Sequence, residues 1–474
     1  MDSFIQIAEY LFLIYAVAIC SSYLLFALIS YFAMRRYMKK NSFVDFKKIL
    51  SSPLAPSISL IAPAYNEAMT IIDNVKSLLS IEYNNYDVVI VNDGSADDTI
   101  DKLIAAFHLE KVPFFIPNEL PSKKIRGIYK SSNRAFRRLV VVDKENGGKA
   151  DALNAGISVS NKELVACIDV DCIIQPDALM KMAKTYLESR ENVIAIGGVV
   201  RIANSCVIED GRLIKVNLPK GLLARFQVLE YMRAFLLGRM AWSRINGLML
   251  ISGAFGLFKR ETVMEVGGYD RDTVGEDMEL VVRMRRHMMD QKRVGKVLYI
   301  PDPLCWTEAP SDKKILSRQR NRWARGTIET LVKHRVMFFN PKYKVIGLIS
   351  YPYWFFFEFL APWVETIGLI FFTYLTITLQ VSWVFSLGLF SFVYLFAVMI
   401  SLLTLLAEET SYYKYNDARD FYKMTLVAIM EPFLFHPFVV KWAIEGNIDK
   451  WRGVKSWGKM SRTGFVQTPD KKKS

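Results

Sequence analysis

Leu164-Val165-Ala166-Cys167-Ile168-Asp169-Val170-Asp171 is an apolar run closed by two carboxylates one residue apart. Five consecutive apolar residues read as a buried strand, and the polar residues mark where it ends. Alternation along an extended chain points Asp169 and Asp171 the same way, at the rim where an open α/β sheet binds ligands. Two carboxylates there can hold a hard divalent ion that also binds a diphosphate, although a solvated strand end has the same appearance.

The same rhythm repeats on both sides of this strand. Ile58–Ala62, Val88–Val91 and Leu139–Val142 are further β-rich runs, and helix-like stretches lie near 67–80, 96–107, 149–160 and 176–188. Such alternation across residues 53 to about 310 predicts an α/β domain with a mainly parallel sheet. The stretch 118–138, which contains KKIRGIYKSSNRAFRR, breaks the rhythm and reads as a basic, solvated surface loop.

The flanks are of another kind. A net charge of +14 accompanies 52% hydrophobic residues in 474. Nucleic-acid binding would account for the charge but not for the long apolar runs, whereas a membrane protein with basic cytoplasmic flanks accounts for both. Residues 4–34 are nearly free of charge, longer than the ~20 residues that cross a bilayer. Arg35, Arg36, Lys39, Lys40, Lys47 and Lys48 follow, so the positive-inside rule puts the N-terminus outside and the next domain in the cytoplasm. No Ala-x-Ala site closes the run, which argues against a cleaved signal peptide.

Residues 311–343 read as basic interfacial helices, and 345–377 and 382–407 as two more spans. The run 424–446 contains Glu431, Pro432, His436 and Pro437, which are costly in lipid, and reads as an interfacial or re-entrant helix. Residues 447–474 form a basic cytoplasmic tail. The five cysteines follow no disulfide or zinc spacing and suit a reducing compartment. Four histidines argue against a histidine-based metal centre or triad.

Four other stretches bear on the rim of the sheet. Tyr65-Asn66-Glu67 follows the first strand and Asn92-Asp93-Gly94-Ser95 the second. Acidic residues there can accept hydrogen bonds from a base or ribose, while Asn66 or Ser95 can also be simple caps. Asn146-Gly147-Gly148-Lys149 leads into a helix whose start suits phosphate, without the spacing of a Walker motif. Gly275-Glu276-Asp277 opens an amphipathic helix, where a carboxylate serves either as a general base or as an N-cap. Further on, Gln319-Arg320-Asn321-Arg322-Trp323 joins two guanidiniums, which bind phosphate in forks, to an indole able to carry a sugar face.

Taken in order, Tyr65-Asn66-Glu67, Asn92-Asp93-Gly94-Ser95, Gly148-Lys149-Ala150, Asp169-x-Asp171, Glu276-Asp277 and Gln319-Arg320-x-Arg322-Trp323 resemble one family. The chain is similar to processive family 2 glycosyltransferases, the group of cellulose, hyaluronan and poly-N-acetylglucosamine synthases. The resemblance implies a GT-A (Rossmann-like) α/β domain, cytosolic and inserted between transmembrane helices. It implies that Tyr65, Glu67 and Asp93 hold the uridine of a UDP-sugar and Lys149 its diphosphate. Asp169 and Asp171 would serve the nucleotide and a divalent Mg2+ or Mn2+, with Asp171 the direct ligand. Asp277, with Glu276 beside it, would be the catalytic base. Gln319, Arg320 and Arg322 would close over the diphosphate, Trp323 would stack on the acceptor sugar, and Ser252 and Gly253 would line the acceptor path. The segment Trp457–Arg462 resembles a gating segment of these synthases.

The expected activity is an inverting β-transfer with no covalent intermediate, adding sugar to a growing polysaccharide that leaves through the cytoplasmic (inner) membrane. The nearest likeness is a poly-β-1,6-N-acetylglucosamine synthase using UDP-N-acetylglucosamine. Transfer of one sugar to a lipid acceptor, as in ceramide glucosyltransferases, is the alternative. Three spans are few for a translocation channel, which points to a small membrane partner or self-association. No nucleic-acid partner is expected.

Overall fold

The computed structural model describes residues 2–41, 52, 54–116, 119–189, 191–209, 211–412 and 418–454. The Trp457–Arg462 segment and most of the basic tail lie outside them. The chain divides into two compact units. Among the described residues, one comprises those within 40–219 and 248–309, and the other those within 2–39, 220–247 and 310–454. Residues 220–247, which fall inside the 53–310 span read from sequence, therefore cluster with the helical unit.

The α/β unit is built on a ten-stranded mixed sheet. Its centre is four parallel strands: β5 (Leu139–Lys144), β2 (Tyr86–Asp93), β1 (Ile58–Ala64) and β6 (Leu164–Ile168), side by side in that order. All five residues of β6 are buried, as a strand covered on both faces requires. The helices α2 (Ile71–Leu79), α3 (Thr99–Phe107), α4 (Lys149–Val159) and α5 (Ala178–Glu188) lie where the sequence places them.

Outside that centre the pairing changes sense. β11 (Phe255–Lys259) runs antiparallel between β6 and β8 (Val193–Ile202), and β12 (Lys296–Thr307) is parallel to β8. The sheet is thus mixed rather than mainly parallel. At the other edge β4 (Ile125–Ser131) pairs antiparallel with both β5 and β3 (Leu109–Val112). The stretch 118–138 is therefore not a solvated loop. It contributes β4, the second strand from that edge, whose Arg126 and Lys130 are exposed while β3 forms the edge itself.

Because β5, β2, β1 and β6 are parallel, their C-termini share one rim. Lys144, Asp93, Ala64 and Ile168 end there. β11 runs the opposite way, so its N-terminal residue Phe255, paired with Ile168, brings Ser252–Ala254 to the same rim.

The helical unit begins with α1, Asp2–Asn41. α6 (Leu222–Met232) runs on as a π-helical segment, Arg233–Arg239. α8 (Lys313–Lys333) carries Gln319 to Trp323, and the helix Glu276–Asp290 of the α/β unit is named α7 here. Among the described residues, three helices are long and apolar enough to cross a membrane: Ser3–Asn41, Ile346–Ile377 and Trp383–Ser411. The second of these contains two π-helical segments before α9 (Ala361–Ile377), and the third is α10. α11 (Ala418–Leu434) and α12 (His436–Trp451) form a pair bent by 48°, as a broken span or a re-entrant loop would be. Pro432 and Pro437 flank the bend and disrupt helical hydrogen bonding there.

Candidate active site

At the shared rim the acidic pair meets a lysine. Lys149 is the first residue of α4, preceded by Gly148 at φ 89°, a backbone conformation that strongly favours glycine. That turn sends the Lys149 ammonium to Asp169 Oδ1 at 2.5 Å, with Glu276 Oε1 4.0 Å away. The same ammonium donates to the Gly253 carbonyl at 3.1 Å. Gly253 in turn donates its N–H to Asp277 Oδ2 at 3.0 Å, and Asp277 Oδ1 accepts from the Met278 amide at 2.9 Å.

Lys149, Asp169, Gly253, Glu276 and Asp277 are thus joined in one cluster. A Cβ on Gly253 would lie 3.2 Å from Lys149 Nζ and 3.3 Å from Asp277 Oδ2, so glycine permits this close approach. The N-cap of α7 is Gly275, with no side-chain capping bond, so Asp277 sits in the first turn and reaches the 252–254 loop instead.

Asp169, Asp171 and Cys172 offer ligand atoms within 4.8 Å of one another, a group able to hold a metal ion. A hydrogen bond with Cys305 and burial push the Cys172 thiol well above its usual range. The two carboxylates fit a hard, oxygen-preferring cation such as Mg2+ or Mn2+.

Asp93 takes a different position from the one expected. It is 3% exposed, and its oxygens accept from the amides of Gly147 at 3.0 Å and Gly148 at 2.7 Å, and from Lys144 Nζ at 2.6 Å. Its carboxylate holds the turn that presents Lys149 rather than facing open solvent. Lys144, wholly buried, also reaches Asp151 Oδ1 at 2.6 Å. Asp151 accepts further from the Lys123 amide and from Arg271 at 3.0 Å. Burial raises the Asp151 carboxyl, but Lys144, Lys123 and Arg271 outweigh it and leave its pKa below the usual range.

Sequence reasoning missed Lys144, Cys172 and Arg271. Lys144 pairs in register with Asp93 across β2 and β5, a neighbour that only the assembled sheet reveals. Tyr65 stands half exposed on the loop after β1. That loop is tied to the next by Asn66, whose amide donates to Ser95 Oγ at 3.0 Å and whose side chain accepts from Ala96 at 2.8 Å. Glu67 Oε2 accepts from Thr70 Oγ1 at 3.1 Å.

The other motif lies in the helical unit. Helical spacing puts Gln319, Arg322 and Trp323 on one face of α8. Trp323 is 40% exposed. Arg320 turns inward, 5% exposed, with Nη1 and Nη2 on the two carboxylate oxygens of Glu230 at 2.8 and 2.7 Å. Arg320, expected at the diphosphate, is here engaged by Glu230 in a two-point fork.

A family model described as "Glycosyltransferase like family 2" matches residues 55–326, more than half of the chain. The chain belongs to glycosyltransferase family 2. This family 2 glycosyltransferase is 31% identical over 277 residues to a poly-β-1,6-N-acetyl-D-glucosamine synthase of Staphylococcus epidermidis. That match covers 58% of the chain and 56% of the relative. The synthase of the same name from Staphylococcus aureus (strain COL) is also 31% identical, over 280 residues with the same shares. The chain thus spans little more than half the length of these curated relatives. Among solved structures, a mannosyltransferase from Pyrobaculum calidifontis, in complex with GDP-Man and Mn2+, aligns with a TM-score of 0.52. It is 18% identical and covers 94% of this chain and 99% of its own, a likeness that establishes the GT-A fold.

Proposed function

We propose that this glycosyltransferase is an inverting enzyme that polymerises N-acetylglucosamine from UDP-N-acetylglucosamine into a β-linked polysaccharide and passes it across the cytoplasmic (inner) membrane. The observation that carries the reading is the cluster in which Asp277, Gly253, Lys149 and Asp169 are linked at 2.5 to 3.1 Å, with Asp171 beside them. It brings together a carboxylate able to act as a base, an ammonium able to take a phosphate and two carboxylates able to hold a cation, which supports the reading. The names of the staphylococcal relatives support the sugar and the polymer.

In this reading Tyr65 and Glu67 receive the uridine, and Asp93 holds the loop that aims Lys149. The Lys149 ammonium, tethered by Gly253 and Asp169, takes the diphosphate. Asp171 and Asp169 hold Mg2+ or Mn2+, which would neutralise charge on the departing UDP. Asp277 takes the proton of the acceptor hydroxyl, its carboxylate fixed by two amides so that little reorganisation accompanies attack. A single displacement on an α-linked donor gives the β-linkage. Gln319 and Arg322 are assigned to the diphosphate, and Trp323 and Ser252 to the acceptor.

The three apolar helices are assigned as spans, with α11 and α12 at the interface or re-entrant and the catalytic unit cytoplasmic. A small membrane subunit or a second copy would complete a channel. Incubating the full chain in liposomes with a panel of UDP-sugars, and resolving products by size and linkage, tests the reading. A β-linked N-acetylglucosamine polymer is expected; a monoglycosylated lipid as sole product would overturn the polymer and favour the lipid acceptor.

A further inference from the structure

Glu230 belongs to none of the six motifs, yet it holds one of their residues in place. Its carboxylate receives both terminal nitrogens of Arg320 in a two-point fork, the strongest geometry available to such a pair. Arg320 Nε makes no hydrogen bond among the described residues, so this fork is its polar anchor. The guanidinium lies 4.2 Å from the centre of the Trp323 ring, at cation–π distance. Tyr231, the neighbour of Glu230 on α6, has its ring 6.5 Å from the same indole.

The helix that carries Glu230 is itself pinned. Phe226 stacks on Phe435 at the bend between α11 and α12, with centroids 5.2 Å apart and planes at 18°. One turn beyond Glu230, Arg233 pairs with Glu431 at 2.9 Å and donates to Ser401 Oγ at 2.9 Å. Gln227 donates to the Pro310 carbonyl at 2.8 Å. On its other side α8 is held by α12, through Asn321 to Asp449 at 2.7 Å and Lys450 to Glu329 at 3.0 Å. Both helices are thus tied to their neighbours, and the carboxylate of Glu230 reaches Arg320 from a braced segment.

We propose that Glu230 is a positioning residue for the acceptor platform: it holds Arg320 against the indole of Trp323 and so sets the orientation of the ring that receives the acceptor sugar. The functional half of this rests on the acceptor role given to Trp323 above. A flat ring steers a sugar only if its plane is fixed, and a buried guanidinium stays at an indole only while its charge is paired. Arg320 thus acts through Trp323 rather than on the diphosphate, and Glu230 acts through Arg320.

The test uses the full chain in detergent, with Glu230→Gln and Arg320→Lys, each also made with Trp323→Phe. Subtracting each Trp323→Phe partner isolates the emission of Trp323, whose quenching by acrylamide reads how well the ring is covered. Both variants are expected to raise that quenching constant by about twofold, because the cover over the indole is lost. With UDP-N-acetylglucosamine saturating and a short β-1,6-linked N-acetylglucosamine oligomer as acceptor, Glu230→Gln is expected to raise the acceptor KM by about tenfold, with kcat and donor KM within about twofold.

Unchanged quenching in both variants overturns the positioning role, whatever the activity. An unchanged acceptor KM in Glu230→Gln, alongside a raised one in Trp323→Ala, also overturns it. An unchanged acceptor KM in Trp323→Ala removes the acceptor role of Trp323 instead, and the quenching result then still judges Glu230.

Discussion

Replacing Lys144 by methionine removes an ammonium shared by two buried carboxylates. Lys144 Nζ lies 2.6 Å from Asp93 Oδ1 and 2.6 Å from Asp151 Oδ1, and donates to the Glu145 carbonyl at 2.6 Å. Breaking one buried pair costs about 3–5 kcal/mol, chiefly because a charge is left uncompensated. Two carboxylates lose their cation here, but neither is stranded. Asp93 keeps the Gly147 and Gly148 amides, and Asp151 keeps the Lys123 amide and Arg271.

Those retained partners hold the loss to about 3–5 kcal/mol rather than twice that. At roughly 2–4 °C per kcal/mol for a unit of about 150–250 residues, the thermal midpoint falls by about 10 °C. Intrinsic fluorescence of the full chain in detergent, followed on heating, reads the midpoint. Lys144→Met/Asp151→Asn removes both charges of one pair, so it should lose less than the sum of the single losses, by about 1–3 kcal/mol. A Lys144→Met midpoint within about 2 °C of the parent would refute the reasoning.

Asp151→Asn should be destabilised most at neutral pH. The folded pKa of Asp151 is depressed, so its contribution is present above its unfolded value of about 3.9 and is lost as pH falls through the folded value. The gap between parent and variant, measured by urea titration from pH 7 to pH 3, should therefore narrow below about pH 4; a constant gap would contradict the assignment. Asp171→Ala should abolish the part of UDP-sugar binding that depends on Mg2+ or Mn2+, read by calorimetry with and without chelator, and unchanged metal dependence would count against Asp171 as ligand. Gly253→Ala places a methyl 3.2 Å from Lys149 Nζ and 3.3 Å from Asp277 Oδ2, so kcat should fall by about tenfold or more with the thermal midpoint nearly kept. Parental kcat in that variant would show that the approach is not needed.

The central strands were legible because a strand buried on both faces reads as a continuous apolar run, as β6 does. β4 was not, because it lies near the sheet edge with Arg126 and Lys130 exposed, and such a charged, half-exposed run resembles a loop in sequence. β12 carries Pro301 and Pro303, and its register shifts between Ile300 and Pro303 show the irregularity that prolines impose on a strand. Residues 220–247 read as part of the α/β domain because their apolar helices suit either unit. Only side-chain partners such as Glu431 and Ser401 for Arg233 show which one they join.

The rim residues were legible as a set because strand ends in a parallel sheet converge on one side. Their individual duties were less so. A lysine at a strand end reads as exposed, yet Lys144 is wholly buried between Asp93 and Asp151. Arg320 reads as a phosphate ligand beside Arg322. Two residues along a helix turn a side chain by about 200°, and that rotation sets Arg320 inward on Glu230, away from the face of Arg322.

The central claim is that Asp277 removes the acceptor proton in a direct displacement from a UDP-sugar. Asp277→Asn keeps the shape of the side chain and one oxygen to accept from an amide. UDP binding by calorimetry and sugar transfer from UDP-N-acetylglucosamine, measured on the same preparation, test the claim most directly. The account predicts UDP affinity within about twofold of the parent and transfer lowered by about 10²–10⁴. Transfer at the parental rate, with UDP bound normally, would contradict it.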